Sequence, residues 1–375
     1  MKIIFDNIIF SLQTSGGISV YWYELLRRFL NDKNNNKSDT QIYQFMDVEQ
    51  NIFANKLRQE CSWETIQESK LPVKLLRYLD FRNISFSKLL FKDKKKSHFI
   101  FHSSYYRSAP GAINIVTIYD FTYAYYRSGL ARLIHVWQQA RAINNASGII
   151  CISENTKQDL LKFYPHIDVP IEVIHMGKSE DFLVLDKKYV FAAELQFLVA
   201  KTFCMFIGDR KNYKNFFYML EQIPTAQFLV IVGGGELDEQ EKGLLEKYLG
   251  GNYYHFFRPD IALLNELYNL AFCLIYPSDY EGFGIPVIEA MAAGCPVICQ
   301  PVSSLGEVAD DCGIYFDKEI IGDCSGSLQN AIKQLQDKDF YHRTVTQGIA
   351  NAKRFSWDKC YQQTIDFYAS FLEDC

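Results

Sequence analysis

Short apolar runs alternate along this chain with longer stretches whose apolar positions recur at helical spacing. That rhythm predicts parallel strands joined by crossover helices, an α/β architecture. In the first half, strands are expected at Ile3–Asn7, Phe99–His102, Ile113–Ile118, Gly148–Ile152 and Ile171–His175. Helices are expected at Val20–Leu30, after a Gly16-Gly17 turn, and at Thr156–Phe163, with Ser153 as its N-cap. The second half repeats the theme with strands at Thr202–Ile207, Gln227–Val232, Tyr253–Phe257, Phe272–Pro277 and Pro296–Cys299. Residues Glu180–Ala200 break the rhythm and are expected to link two domains, 1–185 and 195–355. Trp357, Tyr361, Ile365, Tyr368 and Leu372 mark a last helix over Ser356–Leu372. Two doubly wound parallel-sheet domains would bind ligand at their strand C-terminal ends, in the cleft between them.

Composition adds exclusions. At 375 residues the chain exceeds the usual size of one core. Hydrophobic residues at 48% and charged residues at 22% describe an ordinary globular protein, and a net charge of −5 gives no reason to expect nucleic acid. Ten cysteines without a C-x-x-C pair suit buried thiols in a reducing cytosol rather than a zinc site or disulfide framework. The N-terminus runs straight into a strand rather than a signal peptide, and no apolar run is long enough to span a bilayer. A cytoplasmic protein is expected, or one peripheral on the inner face of the cytoplasmic membrane. The stretch 70–96 carries nine Lys or Arg against Asp80 and Asp93, with apolar positions between them. It is a candidate for contact with an anionic membrane surface, and a solvated helix face is the alternative.

Candidate chemistry concentrates in Pro277-Ser278-Asp279-Tyr280-Glu281-Gly282-Phe283-Gly284-Ile285-Pro286-Val287-Ile288-Glu289. Two carboxylates stand eight residues apart across a glycine-rich turn that opens a helix, with Pro286 in its first turn. The amides of that helix start favour phosphate, and carboxylates accept bonds from sugar hydroxyls. Glu281 therefore belongs to the loop and Glu289 to the helix. Arg210 and Lys214, in Gly208–Asn215 after a strand, could clamp a diphosphate. Gly16 and Gly17 would let backbone approach a phosphate, and Gly233 opens a turn against which a base or ribose could pack. His102 sits at a strand end facing the expected ligand side. Asp337-Lys338-Asp339 is a literal D-x-D, but it reads as an exposed helix end. The histidines show no metal-ligand spacing.

The run Tyr276–Val297 closely resembles the E-x7-E region of retaining glycosyltransferases of family 4, which have the GT-B fold. Further likenesses follow in order: the Gly16-Gly17 loop, Ser153-Glu154-Asn155-Thr156-Lys157, Val173-Ile174-His175-Met176-Gly177, Gly208–Asn215, Ser304-Leu305-Gly306-Glu307-Val308 and Phe355-Ser356-Trp357. The resemblance implies that the helix at 356–375 completes the first domain, which takes the acceptor, while the second takes the nucleotide sugar. It implies a metal-independent hexosyltransferase, with no cofactor, serving a glycan or lipid-linked acceptor in bacterial cell-surface polysaccharide synthesis. Glu289 would hold ribose and Glu281 the transferred sugar, while Arg210 and Lys214 meet the diphosphate, assisted by amides near Gly17 and at Gly282, Phe283, Gly284 and Ile285. Arg258 would lie near the base. Tyr119-Asp120 stands where the family often has His-Asp, so Tyr119 and Asp120 are expected to face the sugar. A sugar-nucleotide hydrolase or epimerase on the same fold, and a non-catalytic nucleotide-sugar or glycan-binding protein, are the alternatives.

Overall fold

A computed structural model describes residues 2–32, 39–43, 50–61, 99–210 and 212–373. The basic stretch 70–96 lies outside the described residues. The chain divides into two units, one of Met1–Met176 with Trp357–Cys375 and one of Gly177–Ser356.

The first unit is built on a parallel sheet of β1 (Lys2–Asp6), β2 (Asp39–Tyr43), β3 (Phe99–His102), β4 (Ile113–Ile118), β5 (Gly148–Cys151) and β6 (Ile171–Val173). Their order is β2-β1-β3-β4-β5-β6. The inner strands β3 and β5 are buried along their whole length, as expected when helices cover both sheet faces. The Trp357–Glu373 helix packs in this unit. Tyr361 and Tyr368 pack their rings on Phe29 of the Gly17–Asn31 helix, and Arg28 Nε meets Asp358 at 2.7 Å. The last turns press on β5, where a Cβ at Gly148 would fall 2.4 Å from the Phe371 ring. Only glycine fits that approach.

The second unit holds β7 (Phe203–Ile207), β8 (Phe228–Val232), β9 (Tyr253–Phe256), β10 (Cys273–Tyr276), β11 (Val297–Cys299) and β12 (Ile314–Tyr315). Their order is β12-β11-β10-β7-β8-β9, again parallel. Chain order reverses between β7 and β10. Loops leaving the C-terminal ends of these neighbours frame the crevice where doubly wound sheets take ligands.

Two edge strands, β2 and β12, were absent from the sequence expectation. Asp39-Thr40-Gln41-Ile42-Tyr43 is too polar to read as a buried strand, and β12 is two residues long. The expected linker at 180–200 belongs to the second unit, whose boundary falls at Gly177. The Ile261–Leu270 helix and its flank hold that segment: Asn265 and Asn269 accept from the amides of Leu183 and Leu185, and Glu266 from that of Ala192. Such side-chain anchors leave no hydrophobic period to read. All nine described cysteines are free thiols. No helix among the described residues is long and apolar enough to cross a membrane.

Candidate active site in the second unit

After β7 the chain enters a single 3-10 turn, Asn212–Lys214, and Asn215 takes a left-handed conformation (φ 53°) to start the Phe216–Gln222 helix. Asn215 Nδ2 donates to Pro277 O at 2.9 Å and to Asp279 Oδ1 at 2.7 Å, and the Asp279 amide donates to Tyr213 O at 2.8 Å. The loop after β7 is thus stitched to the loop after β10. Gln300 and Lys318 also reach Asp279, at 3.1 and 2.7 Å. Asp279 is a hub that fixes the loop carrying Glu281.

Glu281 itself is gripped through its backbone. Its amide donates to Ser303 Oγ, and Ser304 Oγ donates to the carbonyls of Glu281 and Phe283 at 2.9 Å each. Its carboxylate meets Lys214 Nζ at 2.5 Å, with side chains 13% and 12% exposed. The same ammonium lies 5.4 Å from the Tyr213 ring centre and 5.6 Å from that of Tyr276. Aromatic faces and a carboxylate hold this cation in place.

Gly284 (φ 99°) begins the Ile285–Ala292 helix, which has proline in its first turn and no side-chain cap. A Cβ at Gly284 would come within 2.9 Å of Leu305, so a left-handed turn and tight packing both demand glycine there. Pro286 has no amide and that of Val287 donates to the Gly284 carbonyl at 2.9 Å, so the amides of Gly284 and Ile285, with the helix dipole, are what this start offers an anion. Phe283 is buried edge-on against Phe355. Glu289 lies one turn into the helix, with Tyr268 Oη 3.5 Å from its carboxylate. Burial pushes the Glu289 carboxyl up to about 8.

Arg210 is placed differently from the expectation of an open diphosphate clamp. Its Nε donates to Glu241 at 2.7 Å, Nη1 to Gly233 O, and Nη2 to the carbonyls of Gly235 and Glu236. With its side chain 3% exposed, the guanidinium is turned into the protein and organises the glycine turn. The correction has a physical origin in the capping box of the Glu239–Leu249 helix. That box places the Glu241 carboxylate where it takes the guanidinium, a partner 31 residues away that loop charge alone could not reveal. Gly233, Gly234 and Gly235 all have φ near +80°, and a Cβ on Gly234 would fall 2.4 Å from Arg210 Nη1. Arg258 is exposed beside Phe257, its guanidinium carbon 4.6 Å from the ring centre.

In the first unit, Gly16 is the N-cap of the Gly17–Asn31 helix, which has no side-chain cap. His102 does not face an open surface. It is fully buried, with Nδ1 2.5 Å from Tyr368 Oη and Nε2 2.8 Å from Thr117 Oγ1. Burial lowers it to about 3, so it stays neutral. Tyr119 is also buried, and its hydroxyl accepts from Trp22 Nε1 at 2.5 Å. Both expectations of sugar-facing side chains are thereby corrected: the aromatic cluster around Trp22 draws these residues inward. Asp120 is half-buried, and its carboxylate accepts from the Thr122 amide at 2.8 Å. Asp337 caps the Lys338–Ala352 helix.

The second unit therefore gathers Lys214, Glu281 and an open helix start, with Glu289 one turn on. Asp279, Gln300, Ser303, Ser304 and Lys318 hold the frame. Sequence reasoning missed this frame, although Ser304 lies within the Ser304–Val308 run already singled out. The Lys214 ammonium, two carboxylate acceptors and the positive end of a helix together suit a ligand with phosphates and hydroxyls.

Residues 192–348 match the family model for glycosyl transferases group 1. O-antigen chain mannosyltransferase B of Escherichia coli is 28% identical over 244 residues, covering 60% of this chain and 61% of that protein. Among solved structures, sucrose-phosphate synthase from Thermosynechococcus elongatus superposes with a TM-score of 0.74 at 17% identity, covering all of both chains. Anabaena HepE, solved with UDP and glucose, gives 0.72 at 15% identity, covering 99% of this chain and 100% of that one. The fold is GT-B: two parallel-sheet α/β domains.

Proposed function

We propose that this chain is a retaining, metal-independent glycosyltransferase that moves a hexose from a nucleoside-diphosphate sugar to a glycan or lipid-linked acceptor in cell-surface polysaccharide synthesis. The observation that carries the proposal is the juxtaposition of Lys214 and Glu281 beside the uncapped start of the Ile285–Ala292 helix, within the segment that matches glycosyl transferases group 1. The E. coli relative's name points to mannose as the first sugar to try.

In this proposal the diphosphate lies against the amides of Gly284 and Ile285. Lys214 turns from Glu281 to the leaving phosphate, and Glu281 accepts bonds from the sugar hydroxyls. Glu289 receives the ribose. The sugar–phosphate bond breaks as the acceptor oxygen bonds the anomeric carbon from the same face, and the acceptor's proton passes to the departing phosphate oxygen. A preorganised cation and helix dipole stabilise the charge that develops there. Arg210 acts as a positioning residue, holding the Gly233–Gly235 turn against which the nucleoside packs. First-unit residues, Asp120 among them, serve the acceptor.

Glu281→Ala and Lys214→Ala should each lower turnover at least ~100-fold, comparable to losing an oxyanion-hole donor. Wild-type rates in both variants would overturn the site assignment.

A further inference from the structure

The loop after β11 holds a serine in a backbone conformation that its side chain disfavours. The carbonyl of Val302 accepts from the Leu305 amide at 3.1 Å, closing a four-residue turn. Its central residues, Ser303 and Ser304, have φ of 50° and −73°. A turn whose first central residue alone has positive φ ordinarily places glycine there, because the Cβ of an L residue crowds its own backbone. Elsewhere in the site, positive φ falls to Gly233, Gly234, Gly235, Gly284 and Asn215, residue types that tolerate it. Serine at such a position is strained, and strain persists only where the surroundings fix it.

What serine adds over glycine is a hydroxyl, and its oxygen accepts from the Glu281 amide at 3.0 Å. The next two residues extend the contact in step. Ser304, fully buried, donates to the carbonyls of Glu281 and Phe283 at 2.9 Å each. Leu305, also fully buried, is the side chain that a Cβ on Gly284 would meet at 2.9 Å. Ser303, Ser304 and Leu305 thus meet Glu281, Phe283 and Gly284 in the same order, and one loop serves as a template for the other. With its N–H and its carbonyl both bonded, Glu281 has little backbone freedom to carry its carboxylate away from Lys214.

We propose that Ser303 is a positioning residue for sugar transfer: its hydroxyl, kept on a strained backbone at the expense of stability, aims the Glu281 carboxylate at the transferred hexose. The proposal rests on the glycosyl-transfer reading and adds to it a residue that acts through Glu281.

Variants of the full chain at this position separate the hydroxyl from the strain. Ser303→Ala loses the hydroxyl and keeps the strained Cβ, Ser303→Gly loses both, and Ser303→Thr keeps the hydroxyl but sets a β-branched side chain at positive φ. Turnover should follow the hydroxyl: kcat should fall about 10-fold in the Ala and Gly variants alike and stay within about threefold of wild type in the Thr variant. Stability should follow the strain: the Gly variant should melt roughly 2–4 °C above the Ala variant, and the Thr variant below wild type. GDP or UDP, whichever the wild type binds, should keep its Kd within about twofold in every variant by titration calorimetry, because the amides of Gly284 and Ile285 and the Lys214 ammonium are retained. Ser303→Gly, the residue this turn ordinarily takes, keeps the test open if Ser303→Ala does not fold. Wild-type kcat in the Gly variant would overturn the proposal. So would kcat that rises and falls with Tm across the series, the order expected of a serine that only supports the fold. A wild-type chain that binds neither nucleotide and transfers no sugar would fail the glycosyl-transfer reading itself, and this inference with it.

Discussion

The Lys214–Glu281 pair is the site's most informative target, because stability and activity should respond to it in different ways. Lys214→Met keeps the length of the side chain but leaves a carboxylate, 13% exposed, without its cation. Breaking a fully buried pair costs about 3–5 kcal/mol, and residual solvent screening brings the expectation here to about 2–3 kcal/mol. For a unit of this size each kcal/mol moves Tm by roughly 2–4 °C, so a fall of about 4–12 °C is expected. Glu281→Gln should cost about 1–2 kcal/mol, since an amide still accepts a bond from the ammonium. The double variant, with two neutral side chains of similar shape, should recover part of the loss, giving a coupling energy of about 1–3 kcal/mol. Thermal unfolding of the four proteins, followed by calorimetry at low and high salt, measures that coupling, and salt should shrink it. Turnover should not recover in the double variant, because the cation for the leaving phosphate is gone. Strictly additive losses of stability would refute the ion pair, and recovered turnover would refute its role in the reaction.

Two further outcomes follow from the same unit. Arg210→Met should remove four hydrogen bonds and strand Glu241, lowering stability by about 3 kcal/mol, read as a Tm fall of roughly 6–12 °C; a change under 2 °C, against that roughly 6 °C lower bound, would show the buried network to be dispensable. Glu289, raised to about 8 by burial, binds a proton in the folded state that the unfolded chain releases near pH 4.3. Its contribution is therefore complete below about pH 4 and is lost as pH rises towards 8, by at most about 1.4 kcal/mol per unit. Glu289→Gln should flatten the denaturation midpoint over that window, and an unchanged slope would contradict the burial.

Much of the frame was legible because its signals are local. Runs such as Phe228–Val232 announce inner strands, and Glu281-Gly282-Phe283-Gly284-Ile285-Pro286 announces a loop that opens a helix, with Glu289 one turn on. What stayed hidden depends on partners distant in sequence. Loop position and charge make Arg210 read as half of a diphosphate clamp, whereas Glu241, 31 residues on, claims its guanidinium. His102 ends a strand, as cleft residues do, yet Tyr368, 266 residues later, closes over it. Trp22 does the same to Tyr119. Asp279 gave no signal as a hub, since Asn215, Gln300 and Lys318 converge on it only in three dimensions. The edge strand β12 is short enough that its neighbour, not its own pattern, defines it.

The central claim is that this site transfers sugar with its configuration kept. NMR of the anomeric proton of the product tests it most directly, using a panel of GDP- and UDP-linked hexoses with a glycan acceptor. The account predicts one donor that yields a new glycoside of the same anomeric configuration as the donor, absent with Glu281→Ala. A product of inverted configuration would contradict retention. Free sugar or an epimer as the main product, or tight nucleotide binding with no turnover across the panel, would contradict the transferase itself.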